Sequence, residues 1–130
     1  MPALYAMERY PTVHQMTSTV RGELEEPASL SLLMPALFPC GSVTGAPKIR
    51  AMQIISELEG AARGIYCGAI GWMDPAGPMR FSVAIRTPVL EAPDRLRLNV
   101  GGGITHDSRA GSEWEEALCK PAFLNLSPKA

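Results

Sequence analysis

With 130 residues, 46% of them hydrophobic and 19% charged, the chain has the size and balance of one globular domain, and disorder is not suggested. Its 12 lysines and arginines nearly cancel its 13 acids, and a net charge of -1 leaves no bulk field to recruit nucleic acid or an anionic membrane. Three cysteines, Cys40, Cys67 and Cys119, are odd in number and far apart, which argues against a disulfide framework or a zinc cluster and for reduced, mostly buried thiols.

In chain order, Met1 to Arg9 lacks the charged then apolar layout of a signal peptide, and no stretch approaches the length of a membrane span. A cytoplasmic protein is expected, with neither nucleic acid nor membrane as a partner. Thr12 to Leu24 is rich in Thr and Val without a helical period and reads as a strand, with His14, Met16, Ser18 and Val20 on one side. A histidine in a strand is more often structural than catalytic, so the residues alone make His14 a minor candidate.

Pro27 and Ser29 open a short helix, Leu30 to Leu37, which Pro39-Cys40-Gly41 stops. A Gly/Ser/Thr loop from Gly41 to Lys48 then feeds a second helix, marked by Ile49, Met52, Ile55 and Leu58 and ended by Gly60, with Pro47 at its first position. The free amides and dipole of such a helix start favour an anion, and Lys48 at the positive end is a local conflict that an anion would relieve. The alternative is a well-capped helix with a solvated lysine. A nucleotide P-loop is excluded, because Ala46-Pro47 separate Gly45 from the lysine and Ile49 follows it.

Gly64 to Met73, Met79 to Leu90 and Arg95 to Thr105 are strand-like runs separated by Asp74 to Pro78 and Glu91 to Asp94, which predicts a meander. Alternation puts Arg86 opposite the apolar face of Phe81, Val83 and Ile85, either as a rim ion pair or as a fork for a carboxylate. Tyr66 could simply be core.

The third run ends in Gly101, Gly102 and Gly103, which allow a ligand to approach the main chain closely. Ser112 with Glu115 reads as a capping box that starts the last helix, and Pro121 predicts a kink or stop near Lys120. Glu113, Glu116 and Lys120 then fall within roughly 60° of arc, so two carboxylates and an ammonium share a face. A solvated helix face with an ordinary Glu116–Lys120 pair is the plain alternative. Mg²⁺ between the acids would reconcile them with an anionic substrate, since it takes a few carboxylates, waters and substrate oxygens. The residues themselves therefore point to a small dianionic substrate with magnesium, and no further.

Five stretches taken in order, Tyr10 to Val20, Gly41 to Lys48, Arg63 to Gly71, Val83 to Thr87 and Gly101 to Lys120, resemble the C-terminal part of chorismate-utilising enzymes. The likeness is nearest to the aminodeoxychorismate synthase (para-aminobenzoate) type, with the anthranilate synthase large subunit as the near relative. Gln15 and the Gly-Ser-Val-Thr-Gly-Ala-Pro-Lys stretch favour the former.

The resemblance implies an α+β chain, part of a four-layer α/β/β/α fold with antiparallel strands and flanking helices. It implies that residues 1–130 form one domain, the C-terminal portion of a chorismate-binding domain, about a third of such an enzyme. By motif, Glu113 and Glu116 would bind Mg²⁺. Gly101, Gly102 and Gly103 would meet the ring carboxylate of chorismate, Tyr66 and Arg86 its enolpyruvyl carboxylate, and Ser42 and Lys120 would make further contacts. His14 matches the family histidine near the reacting ring.

The implied chemistry is replacement of the chorismate C4 hydroxyl by an amino group, with ammonia from a glutamine amidotransferase subunit. The family's nucleophilic lysine lies in a Pro-Ile-Lys-Gly-Thr motif that this sequence does not contain, so the chain is expected to be inactive alone. An anthranilate synthase fragment and a non-catalytic assembly module are the competing expectations. Sheet edges left uncovered would favour homo-oligomers.

Overall fold

A computed structural model describes residues 3–11, 13–24 and 29–124. The chain divides into two units, Met1–Leu33 and Met34–Ala130. The expected strand and helix content is present, and the class is α+β with small antiparallel sheets.

In the first unit, β1 (Ala3–Arg9) pairs antiparallel with β2 (His14–Thr19), with Arg9 opposite His14 and Met7 opposite Met16. The strand read from Thr12 to Leu24 is therefore shorter, and Thr12 lies outside the described residues. Its partner β1 was not foreseen, because the segment shows no clean alternation. The ladder slips between Ala3 and Ala6, where Tyr5 takes φ 52 and its amide donates to Ser18 Oγ at 3.1 Å instead of to backbone. Glu8 accepts from Tyr10 Oη at 2.6 Å and from Thr17 Oγ1 at 3.1 Å, and these bonds hold its carboxyl below the usual range.

Helix α1 (Leu30–Leu37) has the bounds read from the sequence, with Leu32 and Leu33 amides donating to Ser29 O; Pro27 lies outside the described residues. The loop expected at Gly41 is instead a single helical turn, α2 (Gly41–Thr44). Helix α3 (Lys48–Glu59) begins one residue later than expected, with Pro47 as its cap, and ends as anticipated at Gly60, which takes φ 61. Between them Gly45 has φ 108, and a Cβ there would lie 3.2 Å from Ala51 Cβ, so glycine permits both the turn and the close approach.

The expected meander resolves into two hairpins. Strand β3 (Ala69–Met73) pairs with β4 (Met79–Val83), and β5 (Val89–Ala92) with β6 (Arg95–Arg97). The run Met79–Leu90 is broken at residues 84–88, where Arg86 takes φ 51, and the run from Arg95 keeps strand pairing only as far as Arg97. Asp74 closes the first hairpin by donating its amide to Pro78 O at 3.1 Å and accepting from Ala76 N through Oδ1 at 2.9 Å. Helix α4 (Ala110–Cys119) passes into a 3-10 turn, Lys120–Leu124, as Pro121 requires.

Among the described residues only Cys67 and Ala84 are buried apolar groups, at 4% and 1% exposure. Trp72 and Trp114 remain 55% and 65% exposed. The sequence is apolar enough for a core that these elements do not close by themselves. No single described helix is long and apolar enough to cross a membrane.

Candidate functional site

The second unit carries a cleft of about 200 Å³ whose walls come from distant parts of its sequence. Ser42 on α2, Tyr66 ahead of β3, Arg86 after β4, Gly101, Gly102 and Gly103, and Lys120 at the end of α4 all line it. These are the residues that the motifs single out for substrate. Val43, Ile85, Asn99 and Val100 complete the lining. These four were not anticipated as lining; Val43, Ile85 and Val100 each adjoin a named residue, and Asn99 lies two residues before Gly101.

The two buried residues build this cleft. Cys67 N donates to Ala84 O and Ala84 N to Gly68 O, both at 3.0 Å, clamping the turn that carries Tyr66 to the segment that carries Arg86. Cys67 at φ 66 and Arg86 at φ 51 both occupy the left-handed region, which costs a side-chain-bearing residue free energy and is tolerated where the surroundings fix it. The broken ladder turns Arg86 out of the sheet: Ile85 N bonds back to Val83 O at 2.9 Å, and Thr87 Oγ1 donates to Ile85 O at 2.9 Å. Arg86 is exposed, while Tyr66 is half-buried.

Burial first, then the neighbouring Cys67 thiol, raises the Tyr66 pKa above its ordinary value, so the phenol stays protonated and able to donate at neutral pH. Its hydroxyl lies 3.1 Å from where a Cβ on Gly101 would stand. Any side chain at Gly101 would displace it.

The opposite wall is α4. Its cap is Arg109, with no side-chain capping bond, so the Ser112–Glu115 capping box is not formed: Ser112 is already the third helical residue. Ser108 takes over the local polar work, accepting from Thr105 N at 3.0 Å and donating to Glu113 Oε1 at 2.6 Å. The second oxygen, Glu113 Oε2, faces Gly102, lying 3.0 Å from the position of a Cβ there, with Glu116 Oε1 at 3.8 Å and Lys120 Nζ at 3.9 Å from the same point. Lys120 Nζ contacts Glu116 Oε1 at 2.7 Å and donates to Gly101 O at 2.5 Å. The shared face read from the helical spacing is thus present, and the lysine ties it to the glycine run.

Two carboxylates around one point are hard oxygen donors of the kind Mg²⁺ accepts, since that ion needs only one or two protein carboxylates beside water and substrate oxygens. Glu113 and Glu116 fit such an ion. No group of three or more His, Cys, Asp or Glu that could enclose a metal occurs among the described residues.

One other reading comes out differently. Lys48 does not await an anion at the start of α3: its Nζ donates to Pro35 O at 2.7 Å and Phe38 O at 2.9 Å, where it satisfies carbonyls at the end of α1. His14 is exposed at the start of β2, opposite Arg9, and belongs to the first unit.

The family model for chorismate binding enzymes matches residues 1–125. The chain is 48% identical over 121 residues to aminodeoxychorismate synthase of Streptomyces griseus, covering 93% of this chain and 17% of that protein. It is 42% identical over 120 residues to aminodeoxychorismate synthase component 1 of Escherichia coli (strain K12), covering 92% and 26%. Anthranilate synthase component 1 of Pseudomonas aeruginosa is 45% identical over 114 residues, covering 88% and 23%. The chain therefore spans 17–26% of the length of these relatives, not the third expected. A family match across residues 1–125 makes this chain a member of the chorismate binding enzymes.

Proposed function

We propose that the chain supplies one wall of a chorismate site in an aminodeoxychorismate synthase-type enzyme, and that it does not turn over chorismate alone. The observation that carries this reading is the single cleft lined by Ser42, Tyr66, Arg86, Gly101, Gly102, Gly103 and Lys120. Two cations, two hydroxyl donors and bare backbone suit a substrate with two carboxylates. Arg86 and the neutral Tyr66 phenol hold the enolpyruvyl carboxylate, while Lys120, Ser42 and the glycines orient the ring carboxylate. Glu113 and Glu116 hold Mg²⁺, which neutralises the charge that the acids and the substrate would otherwise set against each other.

In the complete enzyme the C4 hydroxyl of chorismate is replaced by an amino group, with ammonia from a glutamine amidotransferase subunit. The lysine that attacks the ring belongs to the Pro-Ile-Lys-Gly-Thr motif, which the 130 residues do not contain, and His14 serves near the reacting ring. The hairpins and helices are portions of a four-layer α/β/β/α arrangement within a single chorismate-binding domain, acting in the cytoplasm. The large exposed apolar surface supports this, because further layers would cover it.

The test is calorimetric titration of the chain with chorismate, with and without Mg²⁺, followed by incubation with chorismate and ammonium. Mg²⁺-dependent binding without product is expected. Absence of binding would overturn the site assignment, and product at an enzymatic rate would overturn the claim of inactivity. In the complete enzyme, release of anthranilate and pyruvate would favour the anthranilate synthase reading. Binding of an amidotransferase subunit without chorismate would favour an assembly module.

A further inference from the structure

Behind the cleft lies a residue that touches none of its space. We propose that Arg63 is a positioning residue: its guanidinium holds the Tyr66 ring in place from the rear, so that recognition of a carboxylated ligand depends on a side chain outside the cleft. The affinity part of this inference rests on the chorismate reading; the positioning part does not.

Three engagements fix the guanidinium. Glu59 grips it as a fork, accepting from Nε through Oε2 at 2.8 Å and from Nη2 through Oε1 at 2.5 Å. Nη1 donates to Cys67 Sγ at 3.7 Å. Its Cζ then lies over the Tyr66 ring, 5.5 Å from the centroid, within the range of a cation–π contact. The main chain of the same residue does a parallel task. Arg63 O accepts from Tyr66 N at 3.2 Å and from Asn99 Nδ2 at 3.4 Å, joining the tyrosine turn to the strand extension that leads into Gly101. Tyr66 and Asn99 line the cleft and Arg63 does not.

Lysine cannot substitute here. A planar fork can meet a carboxylate, a thiol and an aromatic face at once, whereas an ammonium is a point charge on a flexible stem. Side-chain exposures of 23% for Arg63 and 41% for Glu59 make the ion pair a partly solvated one, which contributes little to stability. Ring placement and fold stability are therefore separable by experiment.

The experiment compares Arg63→Lys, Arg63→Ala and Glu59→Gln in the full chain, with Glu57→Gln as the control. Tyrosine labelled with ¹³C at the ζ carbon reports ring environment by NMR, and Tyr66→Phe assigns the Tyr66 signal among those of Tyr5 and Tyr10. Arg63→Lys is expected to move the Tyr66 resonance and to weaken chorismate binding about tenfold, with an unchanged melting temperature. Glu59→Gln should do the same in smaller measure. An unmoved Tyr66 resonance in Arg63→Lys overturns the proposal whatever binding does, and so does a moved resonance with unchanged affinity. Should Arg63→Ala unfold the chain, Arg63→Lys still decides. If wild-type chain fails to bind chorismate while the resonance moves, the chorismate reading falls and the placement of Tyr66 by Arg63 stands.

Discussion

Cys67 and Ala84 face each other across a 3.0 Å hydrogen bond from the Cys67 amide to the Ala84 carbonyl, and they are the two buried apolar residues among those described. The little core closed among the described residues is thus spent on one task. It joins the turn before β3 to the break after β4, and Tyr66 and Arg86 stand one and two residues from those anchors. Positive φ at Cys67 and Arg86 is the cost of that geometry, carried by the clamp between them.

Enlarging one of these anchors should therefore damage fold and site together. Ala84→Leu adds three carbons where exposure is 1%, and overpacking of this kind costs about 1–3 kcal/mol. Urea denaturation should show a lowered midpoint, and chorismate titration a parallel loss. Leu58→Gln, at a site 80% exposed, should leave both nearly unchanged. Equal effects at the two positions would mean that the clamp contributes nothing particular.

At Gly102 the expectation is the reverse, a functional change without a structural one. A Cβ there meets carboxylate oxygens and the Lys120 ammonium, the far ends of flexible side chains, at 3.0–3.9 Å. Gly102→Ala can be accommodated by turning Glu113 away from the glycine run, which costs little stability. On the proposed reading the turned carboxylate no longer points at the metal position. Mg²⁺ affinity should fall about tenfold, roughly 1.4 kcal/mol, while the melting temperature holds. Retained Mg²⁺ affinity would remove Glu113 from the ligand set.

How far this was legible in the sequence differs between elements for physical reasons. Helix α1 was readable to the residue because Ser29 and the Pro39-Cys40-Gly41 stop are local signals. The capping box at Ser112 failed because Arg109, without a local side-chain signal, starts α4 a turn earlier, and Ser108 reaches forward to Glu113. Alternation predicted strands up to Leu90 and Thr105, but alternation measures which side chains share a face, not where a ladder partner exists. Strand β4 ends at Val83, ahead of the segment in which Arg86 leaves the β region, and β6 ends at Arg97. For the site, helical spacing alone placed Glu113, Glu116 and Lys120 together. No spacing argument could bring Ser42, Tyr66 and Arg86 to the same cleft; only the order of motifs did. Arg63 opens one of those motifs but was assigned no role, because its contacts are to a neighbour and not to the cleft.

Tyr66 also makes stability depend on pH at the alkaline end. Burial, followed by the Cys67 thiol, raises its pKa above 10.0, so the folded chain keeps the phenolic proton longer than the unfolded one. The resulting stability is intact below the unfolded value and is lost as pH rises through the folded value. The melting temperature should decline above about pH 10, and Tyr66→Phe should flatten that decline. At the acid end the sign reverses: hydrogen bonds from Arg63 lower the Glu59 pKa, so its small contribution, made by a largely solvated group, is present above 4.5 and fades as pH falls through the folded value. An alkaline slope that survives Tyr66→Phe would assign it to another group.

Lys120 offers the sharpest test of the metal and carboxylate wall, because its two proposed roles oppose each other. Its ammonium sits 2.7 Å from Glu116 Oε1, where it competes with any divalent cation for that carboxylate, and it also supplies positive charge to the cleft. Lys120→Met removes the competitor and the anchor at once. Mg²⁺ affinity in the absence of substrate should rise, by about threefold to tenfold given that Glu116 is 57% exposed and the attraction is screened. Chorismate affinity at saturating Mg²⁺ should fall about tenfold, since a charge-assisted contact to a carboxylate is lost. Glu116→Gln should lower both. The fold should tolerate either change, because a partly exposed ion pair contributes under about 1 kcal/mol. Opposite movements of the two affinities in Lys120→Met are the signature to look for. A parallel fall would mean that the lysine acts only by tying Gly101 O to α4.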